Sequence, residues 1–159
     1  MTYQKETANY EETLLLGQNL AKFCKPGTNI LLDGELAAGK TVFAKGIGLG
    51  LGVKGNIKSP SYTLMCSYQG ELPFYHFDAY NLKGIDDFYG LGFDEFLYEN
   101  GVALIEWGSV VQEDFPEDYI HINIIKGTDE NKRTIILTPY GVVPKNILKE
   151  WWQHENTGI

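Results

Sequence analysis

The stretch that most constrains this chain is Gly34-Glu35-Leu36-Ala37-Ala38-Gly39-Lys40-Thr41. It fits the phosphate-loop pattern G-x-x-x-x-G-K-[ST], four fixed positions that arise by chance in roughly one chain of this length in a few hundred. The spacing has a physical basis. Glycines let backbone N–H groups turn inward around phosphate oxygens, and the following helix adds its positive N-terminal end. In such a loop Lys40 reaches the β- and γ-phosphates and the Thr41 hydroxyl ligates Mg²⁺. The pattern needs a buried strand before it and a helix after it. Residues 28–33 read as a short, fully buried strand, and a helix is expected from about Gly39 through Val42, Phe43 and Ile47. Gly46, Gly48 and Gly50 weaken that helix, each by roughly 1 kcal/mol relative to alanine.

Around this centre the chain alternates elements of both kinds. Asn9-Tyr10-Glu11-Glu12 carries a capping residue with glutamate three positions later, and Leu16, Leu20 and Phe23 then line one helical face until Pro26-Gly27. Residues 62–68 and 73–80 are expected as two strands joined by Gln69-Gly70-Glu71. An acidic helical stretch over 85–98 is broken at Gly90-Leu91-Gly92, and its acids read as a solvated face. Strands follow at 102–105, 119–126 and 134–138, and Pro144 opens a last amphipathic helix with Ile147, Leu148, Trp151 and Trp152. No repeat, linker or low-complexity tract interrupts the pattern, which points to a single mixed α/β domain over residues 1–159.

A phosphate loop needs a carboxylate for its metal or its water, and in α/β sheets ligands sit beyond the carboxyl ends of strands. Two apolar runs end in an acid: Phe74-Tyr75-His76-Phe77-Asp78 and Val102-Ala103-Leu104-Ile105-Glu106. Both acids converge on Thr41 if their strands run parallel to the first. His76 alternates within its strand and is expected to be structural, whereas Trp107, next to Glu106, is open between core packing at a strand end and stacking near the nucleotide. His121 and His154 carry no signal, and Lys54 and Lys58 read as solvated.

Bulk composition narrows the chemistry. The net charge of −8 and pI of about 4.8 disfavour broad nucleic-acid contact. No apolar run approaches the roughly 20 residues of a membrane helix, the first residues lack a signal-peptide core, and Cys24 and Cys66 are too few for a disulfide framework or zinc site. A cytoplasmic location without membrane association is therefore expected. Arg133 is the only arginine among 13 basic residues, whereas kinases for small phosphorylated acceptors use several cations. The guanine-reading Asn-Lys-x-Asp is also missing, since Asn131-Lys132-Arg133-Thr134 lacks its aspartate. Hydrolysis or ATP-driven switching remains.

With these segments in place the sequence resembles the TsaE family of small ATPases in bacterial threonylcarbamoyladenosine modification of tRNA. Four motifs carry the resemblance over roughly residues 5–155: the loop at 34–41, Ser59-Pro60-Ser61-Tyr62-Thr63, His76-Phe77-Asp78-Ala79-Tyr80 and Leu104-Ile105-Glu106-Trp107. The resemblance implies a P-loop NTPase-like, three-layer α/β fold with a short mixed sheet. It implies ATP and Mg²⁺ as cofactors, ATP held by Gly34, Glu35, Leu36, Ala37, Ala38, Gly39, Lys40 and Thr41, and Mg²⁺ held by Thr41 and Glu106. Lys40, Asp78 and Glu106 become the catalytic residues, with Asp78 at a Walker B-like position. Trp107 would sit beside the nucleotide, Tyr10 and Arg133 would approach it, and residues 59–63 would act as a switch-like loop. The implied partners are TsaB and TsaD, with tRNA touched only indirectly. Glu35, Ala37, Ser61, Ala79 and Asn81 depart from the family pattern. Ala37 stands where glycine is usual, and it matters if that position needs positive φ. Two rival readings are a nucleotide-gated adaptor with little turnover and a small-molecule kinase.

Overall fold

The computed structural model describes residues 1–98 and 100–157. Elements follow one another as β1 (Tyr3–Thr7), α1 (Tyr10–Ala21), β2 (Asn29–Gly34), α2 (Lys40–Gly50), β3 (Met65–Tyr68), β4 (Phe74–Asp78), α3 (Ile85–Gly90), a 3-10 segment (Phe93–Tyr98), β5 (Val102–Glu106), α4 (Ser109–Gln112), β6 (Tyr119–Lys126), β7 (Arg133–Tyr140) and α5 (Val142–Thr157). Asn9 caps α1 as its sequence predicts, its side chain accepting from Glu12 N–H at 2.9 Å.

Among the described residues seven strands form one mixed sheet in the order β1-β7-β6-β2-β5-β4-β3. The four inner strands β6, β2, β5 and β4 are parallel, and β1, β7 and β3 join antiparallel toward the edges. The central strands β2, β4 and β5 are nearly all buried, so they read as continuous apolar runs rather than alternating ones. One face packs Ile30, Leu32, Phe74 and Leu104 under α1, α2 and α5 through Leu20, Phe43, Ile47 and Trp151. The other face packs Leu31, Phe77 and Ile105 under Phe88, Leu97 and Val111. The result is the three-layer α/β arrangement expected from the sequence. No described helix is long and apolar enough to cross a membrane.

The structure differs from the sequence reading at several elements. β1 is a strand although YQKET has no strand pattern, because β7 supplies it with a ladder, Tyr3 opposite Leu137 and Thr7 opposite Arg133. β3 starts at Met65, not at 62, since the preceding residues turn and Leu64 takes φ +66°. α5 starts at Val142, placing Pro144 inside the first turn, where a missing N–H costs nothing.

The glycines of α2 have a different meaning from the weakness expected of them. A Cβ on Gly46 would collide with the Leu14 carbonyl and one on Gly50 with the Gln18 carbonyl, both on α1. Reciprocally, a Cβ on Gly17 of α1 would lie 2.6 Å from the Phe43 carbonyl. These glycines form a seam that lets two helices touch backbone to backbone and seats α1 beside the loop. Gly46→Ala is therefore expected to destabilise the protein by about 1–3 kcal/mol, the cost of overpacking. Helix propensity alone gives the opposite sign, a gain of about 1 kcal/mol. Chemical denaturation of the variant decides between the two signs.

Candidate functional site

β2, β5 and β4 run parallel, so their carboxyl ends lie side by side. Register places Leu32 of β2 beside Glu106, and Glu106 beside Asp78. The chain leaves β2 at Gly34 and enters α2 at Lys40, with Gly39 as N-cap at φ +110°, a value suited to a residue without Cβ. Lys40, Thr41, Asp78, Glu106 and Trp107 thereby line one cleft of about 520 Å³, together with Leu36, Ala37, Gly39, Val42, Ser59, Ser61 and Tyr80.

Lys40 is buried, and its ammonium donates to the carbonyls of Gly34 at 2.5 Å and Glu35 at 2.8 Å. The Trp107 ring lies over it, with 4.1 Å from Nζ to the ring centroid, and Tyr80 packs on that ring at 4.9 Å between centroids. Desolvation pulls the lysine's pKa below its ordinary value, against the opposing pull of Glu106, Asp33 and Asp78. Trp107 itself adopts φ +59°, an uncommon conformation for a bulky residue, directly after Glu106. That turn carries the chain into Gly108, whose N–H donates to the Leu32 carbonyl at 3.2 Å.

The two carboxylates are held differently. Asp78 accepts the Tyr80 N–H on Oδ1 at 2.9 Å, leaving Oδ2 free of that bond. Glu106 Oε2 lies 2.6 Å from His76 Nε2, inside the sheet-facing wall of the cleft. A further acid, Asp33, does not line the cleft but acts on Lys40 through its charge. It accepts the Ser109 N–H on Oδ1 at 3.0 Å and lies 2.7 Å from His121 Nε2 through Oδ2. Burial alone would raise its pKa, but the hydrogen bonds from His121 and Ser109 hold it below the ordinary carboxylate value. Asp33 thus ties β2 to β6 and to the turn after β5. Neither His121 nor Asp33 stood out in the sequence, because their partners lie on other strands.

Tyr10 and Arg133 lie on the opposite side of the loop. With Thr13, Ala38, Gly39 and Asn131 they line a smaller concavity of about 190 Å³. The guanidinium of Arg133 is engaged by backbone: Nε donates to the Ala38 carbonyl at 2.7 Å, Nη2 to Ala37 at 3.4 Å and Nη1 to Glu130 at 2.7 Å. The loop is therefore clamped from outside by Arg133 and crossed from inside by Lys40. Glu35 is exposed, Leu36 lines the larger cleft, and Ala37 borders both concavities.

Ala37 takes φ +63°, the left-handed region that its sequence position made suspect. A Cβ there costs about 1–2 kcal/mol, partly offset by the 0.4–1 kcal/mol that a glycine loses through its freer unfolded chain. Ala37→Gly is expected to stabilise the protein by up to about 1 kcal/mol, a rise of about 2–4 °C in Tm. Thermal unfolding of the variant checks it, and a lower Tm would show that the loop is not strained at this residue.

Among the described residues no group of three or more His, Cys, Asp and Glu side chains is arranged to hold a metal ion. The cleft instead offers hydroxyls, Thr41 at the start of α2 beside Ser59, Ser61 and Tyr80, and the two carboxylates of Asp78 and Glu106. That donor set suits Mg²⁺, which keeps several waters and takes one or two carboxylates plus phosphate oxygens rather than a full protein cage.

Comparison with known proteins gives one consistent result. The family model described as threonylcarbamoyl adenosine biosynthesis protein TsaE matches residues 7–135. The chain is 37% identical over 151 residues to the tRNA threonylcarbamoyladenosine biosynthesis protein TsaE of Bacillus subtilis strain 168, covering 94% of each. It is 38% identical over 126 residues to the protein of the same name from Treponema pallidum, covering 79% of this chain and 93% of that one. The crystal structure of Bacillus subtilis YdiB matches with a TM-score of 0.85 at 33% identity, covering 98% of this chain and 97% of that chain.

Proposed function

Because the chain belongs to the TsaE family of tRNA threonylcarbamoyladenosine biosynthesis proteins, we propose that it is an Mg²⁺-dependent ATPase, weak alone and activated by the TsaB and TsaD subunits, with tRNA reached only through them. One observation carries this reading: Lys40, Thr41, Asp78 and Glu106 share a single cleft at the carboxyl ends of parallel strands.

In this reading the loop N–H groups and the start of α2 bind the β- and γ-phosphates, and the Lys40 ammonium exchanges its carbonyl partners for phosphate oxygens. The Thr41 hydroxyl and the Glu106 carboxylate would hold Mg²⁺, which supplies charge neutralisation at the phosphate oxygens. Asp78, with Oδ2 free of the Tyr80 bond, orients the attacking water or the metal's water shell. Water attacks the γ-phosphorus in line as the bond to the β–γ bridging oxygen breaks, ADP leaves with that oxygen, the water's proton passes to an oxygen of the phosphate product, and Lys40 stabilises the charge that develops. Trp107 and Tyr80 wall the lysine from bulk water, which strengthens every electrostatic contact behind them.

The engagement of Arg133 with loop carbonyls weakens the kinase alternative, because the single arginine is not available to clamp a phosphorylated acceptor. The adaptor alternative draws support from Lys40, which must leave two carbonyls and an aromatic ring before it meets phosphate. Phosphate release from Mg-ATP by the purified chain, alone and with TsaB and TsaD, separates the readings. Stimulated release is expected of the ATPase; tight nucleotide binding without partner-stimulated turnover would favour the adaptor.

A further inference from the structure

His76 was expected to be a core histidine, and it is fully buried, but its surroundings assign it a task. Its Nε2 lies 2.6 Å from Glu106 Oε2, on the adjacent parallel strand. In register His76 sits opposite Leu104, so Glu106 reaches back along β5 to meet it. The ring is packed near-parallel to Phe74, with centroids 5.8 Å apart and an interplanar angle of 18°, and so has little room to swing. Its other nitrogen, Nδ1, is buried with no hydrogen-bond partner among the described residues. A buried polar atom left unmade costs stability, so an apolar side chain would serve this position better if packing were its only purpose. The cost is explained if Nε2 has something to do for Glu106.

We propose that His76 is a positioning residue that orients the Glu106 carboxylate for a divalent cation. With the His76 N–H donating to Oε2, that oxygen is satisfied and the carboxylate is fixed about its last torsion. Oε1 is left to the cleft, where Glu106 stands with Thr41 and Asp78. A carboxylate fixed in this way meets the cation with one oxygen in a set direction, without first losing rotational freedom. Partners behind a metal-binding side chain act in this manner, and their removal typically weakens metal affinity by about 10–100-fold. The proposal rests on the reading of Glu106 as the Mg²⁺-holding group.

The test measures ADP binding by calorimetry on the intact chain, in EDTA and across a series of Mg²⁺ concentrations, so no turnover is required. His76→Asn, whose amide is too short to reach Oε2, is compared with His76→Gln, whose amide can occupy the Nε2 position. Both variants are expected to bind ADP in EDTA as the wild type does. The Mg²⁺ concentration for half-maximal effect is expected to rise about 10–100-fold in His76→Asn and to return to within a few-fold of wild type in His76→Gln. If His76→Asn binds ADP normally and shows the wild-type Mg²⁺ dependence, the histidine only packs and the proposal is overturned. A failure of both variants to bind ADP in EDTA overturns it equally, since the histidine then maintains the fold of the whole site. Wild-type ADP binding that ignores Mg²⁺ altogether overturns the Mg²⁺ reading itself, an outcome distinct from the other two.

Discussion

Lys40→Ala is expected to lower kcat for Mg-ATP by about 10²–10³-fold, the usual loss when one group stabilising transition-state charge is removed. The expectation follows from where the ammonium sits. Among the described residues it is the one buried lysine or arginine, the charges of Glu106, Asp33 and Asp78 act on it, and it lies at the first residue of α2, inside the loop. Its partners are the Gly34 and Glu35 carbonyls, which β2 and the loop would keep in place without it, so the loop should persist while the charge is lost. Three carboxylates left without a local cation would also repel the nucleotide phosphates. Affinity should therefore fall together with kcat. Single-turnover phosphate release at saturating Mg-ATP separates the two effects. Turnover at the wild-type rate by Lys40→Ala would mean that residues 34–41 are a glycine turn and not a phosphate loop.

How much of this was legible beforehand depends on the range of each interaction. The loop and its two flanking elements could be read because strand, loop and helix are consecutive in sequence, and each has its own local signature. The acids Asp78 and Glu106 could be found because each ends an apolar run, and the parallel pairing of β2, β5 and β4 then brought them together. β1 could not be read, because its polar text becomes a strand only against β7, far along the chain. The glycines of α2 were misread for a related reason: propensity sees a single helix, whereas Gly46 and Gly50 answer to the backbone of α1. His76 carried a usable signal. It is two residues from Asp78 in a strand, so both side chains face the same side of the sheet, and a histidine sharing a face with an acid at a strand's carboxyl end points to a partner there. The Asp33–His121 contact had no such signal, since nothing in either local stretch names the other.

Glu106 tests the chemistry and the architecture in one pair of variants. Glu106→Gln keeps an oxygen that can accept from His76 but removes the negative charge; Glu106→Ala removes both. Mg²⁺-dependent hydrolysis should fall by about 10²-fold or more in each, because neither retains the anion proposed to hold the metal against the phosphates. Stability should part the two. Alanine leaves the buried His76 Nε2 without its 2.6 Å partner, which costs about 1–3 kcal/mol. At about 2–4 °C per kcal/mol for a chain of this size, the alanine variant should melt lower than the glutamine variant by at least about 2 °C. Removing a buried carboxylate from beside Lys40 acts on the lysine as well, since Glu106 is the strongest of the charges that oppose its desolvation. The lysine should then lose its proton more readily in both variants, moving the alkaline limb of the pH–rate profile to lower pH. Full Mg²⁺-dependent turnover in Glu106→Ala would transfer the metal to Asp78, the other carboxylate lining the cleft, whose Oδ2 is free of the Tyr80 bond.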